Sequence, residues 1–171
     1  SANTANSKAD NNTTDIQEIN SKLAFKTVKP TNLATSAASA YSQFCYNEIP
    51  LVNLSINYSF QSSNKPNGTL VGSQYFCPLY SVPGNIFKIE AGTATDSDKH
   101  LVAFGIPFEI NGENVSGGTV RIWFDGSNTI VAIQISQTRY ESLTSLVIIQ
   151  NLTISNLHRK KRGYAPLYFL F

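Results

Sequence analysis

Charge is what this sequence has least of. Only 14% of its 171 residues are Asp, Glu, Lys or Arg, against about a quarter in an average soluble domain. Asn, Ser and Thr fill the polar positions instead, which suits an extracellular or virion surface and fits a metabolic enzyme less well. The net charge is +2, and the run HRKKR, His158 to Arg162, holds four of the 13 basic residues and none of the 11 acids. Nucleic-acid binding needs a basic face, and one short run is weak support for it, so no nucleic-acid partner is expected.

Histidine is nearly as scarce. His100 and His158 are the only two, each in a charged loop, which leaves little for acid–base or metal chemistry. No Gly-rich phosphate loop precedes a helix, and no G-x-S-x-G is present. The chain is therefore read as a non-enzyme, with no catalytic residue, metal or cofactor. The two cysteines, Cys45 and Cys77, sit between aromatics in FCY and YFCP. Small buried hydrophobes are favoured there over a disulfide, and metal spacing is absent. No apolar run approaches the length of a membrane span, so no membrane insertion is expected. No signal peptide is read at the start. Ser1 suits either a natural start trimmed of its Met or a boundary set elsewhere.

What is present begins with a repeat. Ala2, Ala5, Ala9, Asn12, Ile16, Ile19, Leu23 and Lys26 fall at alternating intervals of three and four. That is a heptad with a positions at Ala2, Ala9, Ile16 and Leu23 and d positions at Ala5, Asn12, Ile19 and Lys26. Solvent-type residues lie between them, and a 3.5-residue period keeps one seam facing a partner helix. The seam is thin, and a lone helix of this length is marginal in water. Ile at both a and d favours more than two strands, with three preferred, and Asn12 would set register at some cost in stability. The competing readings are a lone amphipathic helix lying on its own domain and a disordered leader. Pro30 is expected to end the helix.

Beyond a linker, NLATSAASA, the period changes to two. In LVNLSINYSF, Val52, Leu54, Ile56, Tyr58 and Phe60 share one face, and Asn53, Ser55, Asn57 and Ser59 the other. LVAFGIPFEI is read with Val102, Phe104, Ile106, Phe108 and Ile110 together, and Pro107 marks an edge or a bulge. NGEN and DGSN are turns. GTVRIWF, TIVAIQIS, SLVIIQNLTI and YAPLYFLF complete eight or nine strands. The predicted fold is all-β, a jelly-roll-like antiparallel sandwich. TIVAIQI and SLVIIQ are apolar on both faces, so something must cover them, and a subunit interface would do so. The expected organisation is a coiled-coil stalk over 1–29, a linker over 30–40 and a β head over 41–171.

A short heptad stalk of Ala, Asn and Ile feeding a Gly- and Asn-rich β head resembles bacteriophage fibre and receptor-binding proteins. SANTANSKADNNTTDIQEINSKL carries that resemblance, over about 25 residues. It implies a homotrimer on the virion surface that docks on a capsid or tail protein through its N-terminus. Its head would bind a host-surface glycan or protein, or merely decorate the particle. Asn12 is the one position to which the family's axial anion site would carry over. A secreted trimeric adhesin or cytokine-like domain is the alternative from a different class.

For binding within the head, Arg121 and Trp123 stand out. They share the face of TVRIWF opposite Val120, Ile122 and Phe124. Arg beside Trp could stack on a sugar or clamp an acidic group, and an interface would also use both. Asp96 and Asp98 in TDSDKH look like part of a calcium loop but lack its later Gly and Glu, which favours a solvated turn. HRKKR reads as a charged turn guarding an edge ahead of a processing site or an anionic patch. Asn11, Asn12, Asn53, Asn57, Asn67, Asn114 and Asn151 begin N-glycosylation sequons that follow from the Asn-rich composition.

Overall fold

The computed structural model describes residues 1–24, 26–34, 41–46, 51–61, 64–96 and 99–155. It is mostly antiparallel β with one N-terminal helix, the strands forming a single curled sheet. The helix, α1, is Ala2–Leu23. Ten strands follow: β1 Lys26–Val28, β2 Thr31–Asn32, β3 Tyr41–Tyr46, β4 Leu51–Gln61, β5 Thr69–Val71, β6 Gln74–Pro83, β7 His100–Ile110, β8 Glu113–Phe124, β9 Asn128–Ser136 and β10 Ser145–Ser155. A single turn of helix, α2 Gln137–Glu141, joins the last two.

α1 stops at Leu23, well short of Pro30. Ala24 already has extended backbone, with ψ 127°. The β-branched Thr27 and Val28 then enter the sheet beside Cys45 and Phe44. Thr31 and Asn32, placed in the linker by the sequence pattern, also pair, with Ser81 and Tyr80 of β6.

The sheet runs β1-β3-β4-β10-β7-β8-β9-β6-β2, with β5 hairpinned onto β6. Two observations fix its curl. In a flat sheet β4 and β6, five strand spacings apart, would be separated by roughly 24 Å. Yet Tyr80 on β6 sets its ring edge-on to Tyr58 on β4 at 6.3 Å, and its hydroxyl donates to the Asn57 carbonyl at 3.3 Å. The outermost strands, β1 and β2, are also consecutive in sequence with only Lys29 and Pro30 between them. Three Cα steps reach about 10 Å, so this short segment clasps both edges of the sheet.

The concave face is the core. Leu54, Ile56, Tyr58 and Phe60 from β4 meet Val120 and Ile122 from β8, Val131 and Ile133 from β9, and Leu146 and Ile148 from β10, all buried. The alternation expected in β4 holds from Asn53 to Phe60, and on the expected core face of TVRIWF Val120 and Ile122 are buried while Phe124 is only partly so. In β7 the alternation breaks. The strand's register slips between Ala103 and Ile106 and again between Ile106 and Phe108. Gly105 takes φ +71° at the first slip, conformational space open chiefly to glycine. The extra residue reverses the faces. Ala103 turns inward and Phe104, expected in the core, is 57% exposed. At Pro107, read as an edge or a bulge, the register does shift, with the extra residue on β8 between Val115 and Gly118.

The turns follow their residues. Asn111 and Gly112 both have positive φ, the two-residue hairpin geometry that Asn-Gly favours. The Asn111 carboxamide then staples the hairpin to the start of β10, accepting from the Thr144 and Ser145 amides and donating to the Ser142 carbonyl. At Asp125–Asn128, the Asp125 carboxylate accepts from the Ser127 and Asn128 amides. TLVGSQYF is divided by the Gly72–Ser73 turn into β5 and the start of β6.

Candidate functional site

Of the eight heptad positions, Lys26 falls on β1; the other seven, Ala2, Ala5, Ala9, Asn12, Ile16, Ile19 and Leu23, lie on α1, and none is buried. Their spacing lines them along one side of a rod roughly 33 Å long. Ile16, Ile19 and Leu23 are 58%, 52% and 47% exposed. The rest of the helix offers little to hold it. Ser1 makes no side-chain cap bond. The Thr13 and Thr14 hydroxyls bond back to the Ala9 and Asp10 carbonyls, a habit that weakens helices slightly. One surface ion pair, Lys22 to Glu18, holds the Glu18 carboxyl below its usual range. An exposed i,i+4 pair of this kind contributes far too little to offset the nucleation cost of a free helix.

Arg121 and Trp123 do share a face, turned away from the core. Arg121 is engaged within the chain. Its Nε donates to Gln134 Oε1 at 2.7 Å, and its Nη1 lies 2.8 Å from both the Ala94 carbonyl and His100 Nε2. Its guanidinium also sits 5.1 Å above the Phe76 ring. Partial burial pulls its pKa down from the usual value. A guanidinium only donates and the Asp96 carbonyl, 2.5 Å from His100 Nδ1, only accepts. The imidazole therefore carries its proton on Nδ1 and accepts at Nε2.

These contacts tie a loop onto the sheet. Ala91 bridges to Phe124, and the Gly92 amide donates to the Phe124 carbonyl. Ala94 is buried, as are Ile130 and Ala132 on the outer face of β9. Ile130 and Ala132 are thus buried within the single chain, and the double apolarity of TIVAIQI is met without any need for a second subunit. Asp96, half of the partial calcium pattern, spends its carboxylate on the Thr93 amide at 2.7 Å within this loop. Asp98, His158–Arg162 and YAPLYFLF lie outside the described residues.

Cys77 is a free, buried thiol, so it forms no disulfide with Cys45, and burial pushes its pKa up to about 12. Nearby, Tyr58 has a buried hydroxyl with no hydrogen-bond partner among the described residues.

SLVIIQ behaves differently from TIVAIQI. On the outer face of β10, Ile149 is 68% exposed. It stands in register with Asn57 of β4, and one row on, Asn151 faces Ser55 and Thr153 faces Asn53. Ser55 Oγ donates to Asn151 Oδ1 at 2.6 Å, and Asn53 Nδ2 donates to Thr153 Oγ1 at 3.2 Å. The two strands read NLSI from Asn53 and NLTI from Asn151. Antiparallel pairing about Leu54 and Leu152 turns that near-repeat into two reciprocal amide–hydroxyl pairs. The sequon spacing at Asn53 and Asn151 therefore has a structural use, because residues two apart share a face. Beside these rows lies an open groove of about 470 Å³, lined by Ser55, Ile56, Asn57, Ile149, Gln150 and Asn151. The wet face of β4 was legible in the sequence. Its partner on β10 was not, although the NLSI and NLTI pair was the available signal.

Comparison of the chain with protein-family models, with curated proteins and with solved structures finds no match.

Proposed function

We propose that this chain is a virion attachment protein, a homotrimeric fibre of the bacteriophage kind with no catalytic role. In this reading three copies of α1 pack along the Ala2–Leu23 seam as a short parallel coil. The curled sheet is a jelly-roll-like head that meets a host-surface glycan, and the N-termini dock on a capsid or tail protein. The observation that carries the reading is α1 itself. It is a 22-residue helix with no buried residue and an aligned apolar stripe, and that state makes physical sense only when other helices cover the stripe. The clasp at residues 26–32 supports it further, since it anchors the stalk to both edges of the head.

The test is attachment by the full chain, labelled and offered to a panel of host cells. A trimer binds through three heads at once, and linked sites gain about 10²–10⁴ in apparent affinity. The parent should therefore stain cells that the single-chain variant Ile16→Asp/Ile19→Asp leaves nearly bare. Equal staining by both would contradict the trimeric attachment reading. A trimer that stains no cell in the panel would favour a decoration fibre.

A further inference from the structure

The geometry points to the uncharged outer face of β4 and β10 as the place where the head takes a neutral saccharide, an inference that rests on the attachment reading above. The outward positions are Asn53, Ser55, Asn57 and Ser59 on β4 and Val147, Ile149, Asn151 and Thr153 on β10. None is ionisable. Among the described residues the nearest charged register neighbour is Glu109, opposite Val147 at the far end of the face.

The groove beside these residues therefore offers carboxamides, hydroxyls and one exposed aliphatic side chain. An anionic ligand finds no cation there, and a cationic one finds no carboxylate in the lining. A neutral sugar ring matches the set from both sides. Its hydroxyls both donate and accept, as carboxamides do, and its C–H face can rest on Ile149, which is 68% exposed.

Part of the site is already oriented. Because the Ser55 hydroxyl donates to Asn151 Oδ1, the Asn151 amide nitrogen is left as the outward donor. The Asn57 side chain is exposed and can offer both an oxygen and a nitrogen. Fixing a polar group before binding reduces the entropy lost on binding. Arg121, by contrast, has its Nε and Nη1 committed to Gln134, Ala94 and His100.

The experiment is titration of the full chain with neutral saccharides and with sialylated or sulfated ones, at low and high salt. Neutral saccharides should bind with an affinity that salt leaves unchanged, since no ion pair is there to be screened. Asn57→Ala and Asn151→Ala should each weaken binding by about tenfold, as loss of one or two hydrogen bonds implies. Both residues are exposed, so the mass should match the parent; Asn57→Ala should keep the parent melting temperature, and Asn151→Ala should lower it only slightly through loss of the Ser55 hydrogen bond. Undiminished binding by the double variant would overturn the site, as would binding confined to anionic saccharides with steep salt dependence. If that double variant still stains cells like the parent, attachment stands and the site is wrong. If the parent binds neither cells nor any saccharide, the attachment reading fails and takes the site with it.

Discussion

In α1 no side chain is buried, while in the sheet Leu54, Tyr58, Ile122 and Ile148 are at most 1% exposed. The two regions are continuous in sequence and joined by a three-residue strand, yet they are held by different means. The β body carries its own core, closed by curling and by the clasp at Lys26–Asn32. The helix brings a stripe of Ile and Leu that nothing among the described residues buries. Burial of apolar area is worth about 25 cal/mol per Å², and in the trimer proposed above other copies of α1 would supply it. The body is therefore expected to be insensitive to dilution, and the helix to depend on it.

The largest effect should come from the body. Ile122→Ala leaves a cavity under the middle of β8 and should cost about 2–5 kcal/mol, read as a lower denaturation midpoint. A cost below about 1 kcal/mol would mean that the two halves of the curled sheet are not packed as described. Next comes Arg121→Ala, which removes the bonds to Gln134, Ala94 and His100 and so releases the Ala91–Asp96 loop. It should cost about 1–3 kcal/mol and open that loop to proteolysis, while the mass of the assembly stays the same. If the mass falls instead, Arg121 serves an interface.

Cys77 sharpens the contrast through pH. Its folded pKa is raised, to about 12, from about 8.5 in an unfolded chain. The folded state thus favours the neutral thiol. Its contribution is complete below about pH 8.5 and is lost as pH rises toward 12. Parent stability should decline over that alkaline window more steeply than that of Cys77→Val, and the native thiol should resist alkylation at neutral pH. Equal slopes for the two proteins would contradict the burial. The smallest effect is Tyr58→Phe. Removing a buried hydroxyl that lacks a partner should leave stability unchanged or raise it by about 1 kcal/mol, and a clear loss would reveal a partner for that hydroxyl.

Local signals in the sequence carried much of this. The heptad placed α1, the period-two runs placed β4 and β8, the doubly apolar runs placed β9 and β10, and Asn111-Gly112 marked its hairpin. Misreadings arose where distant chain decides the outcome. Phe104 was assigned to the core because strict alternation hides a bulge, and the bulge depends on how β8 pairs with β7. TIVAIQI looked like an interface because the burial of Ile130 and Ala132 within the chain depends on residues distant in sequence. The clasp of β1 and β2 onto opposite edges could not be read from two short runs with no periodicity. The same holds for the Asn–hydroxyl rows, which exist only once β4 and β10 pair about Leu54 and Leu152.

The central claim is that α1 is the joint of a trimer, and molar mass in solution tests it most directly. Light scattering on the full chain at micromolar concentration should give three times the 18.7 kDa of one chain. Ile16→Asp/Ile19→Asp should fall to the single-chain mass with its β signal intact. A parent protein of single-chain mass under those conditions, with its helix still formed, would contradict the account.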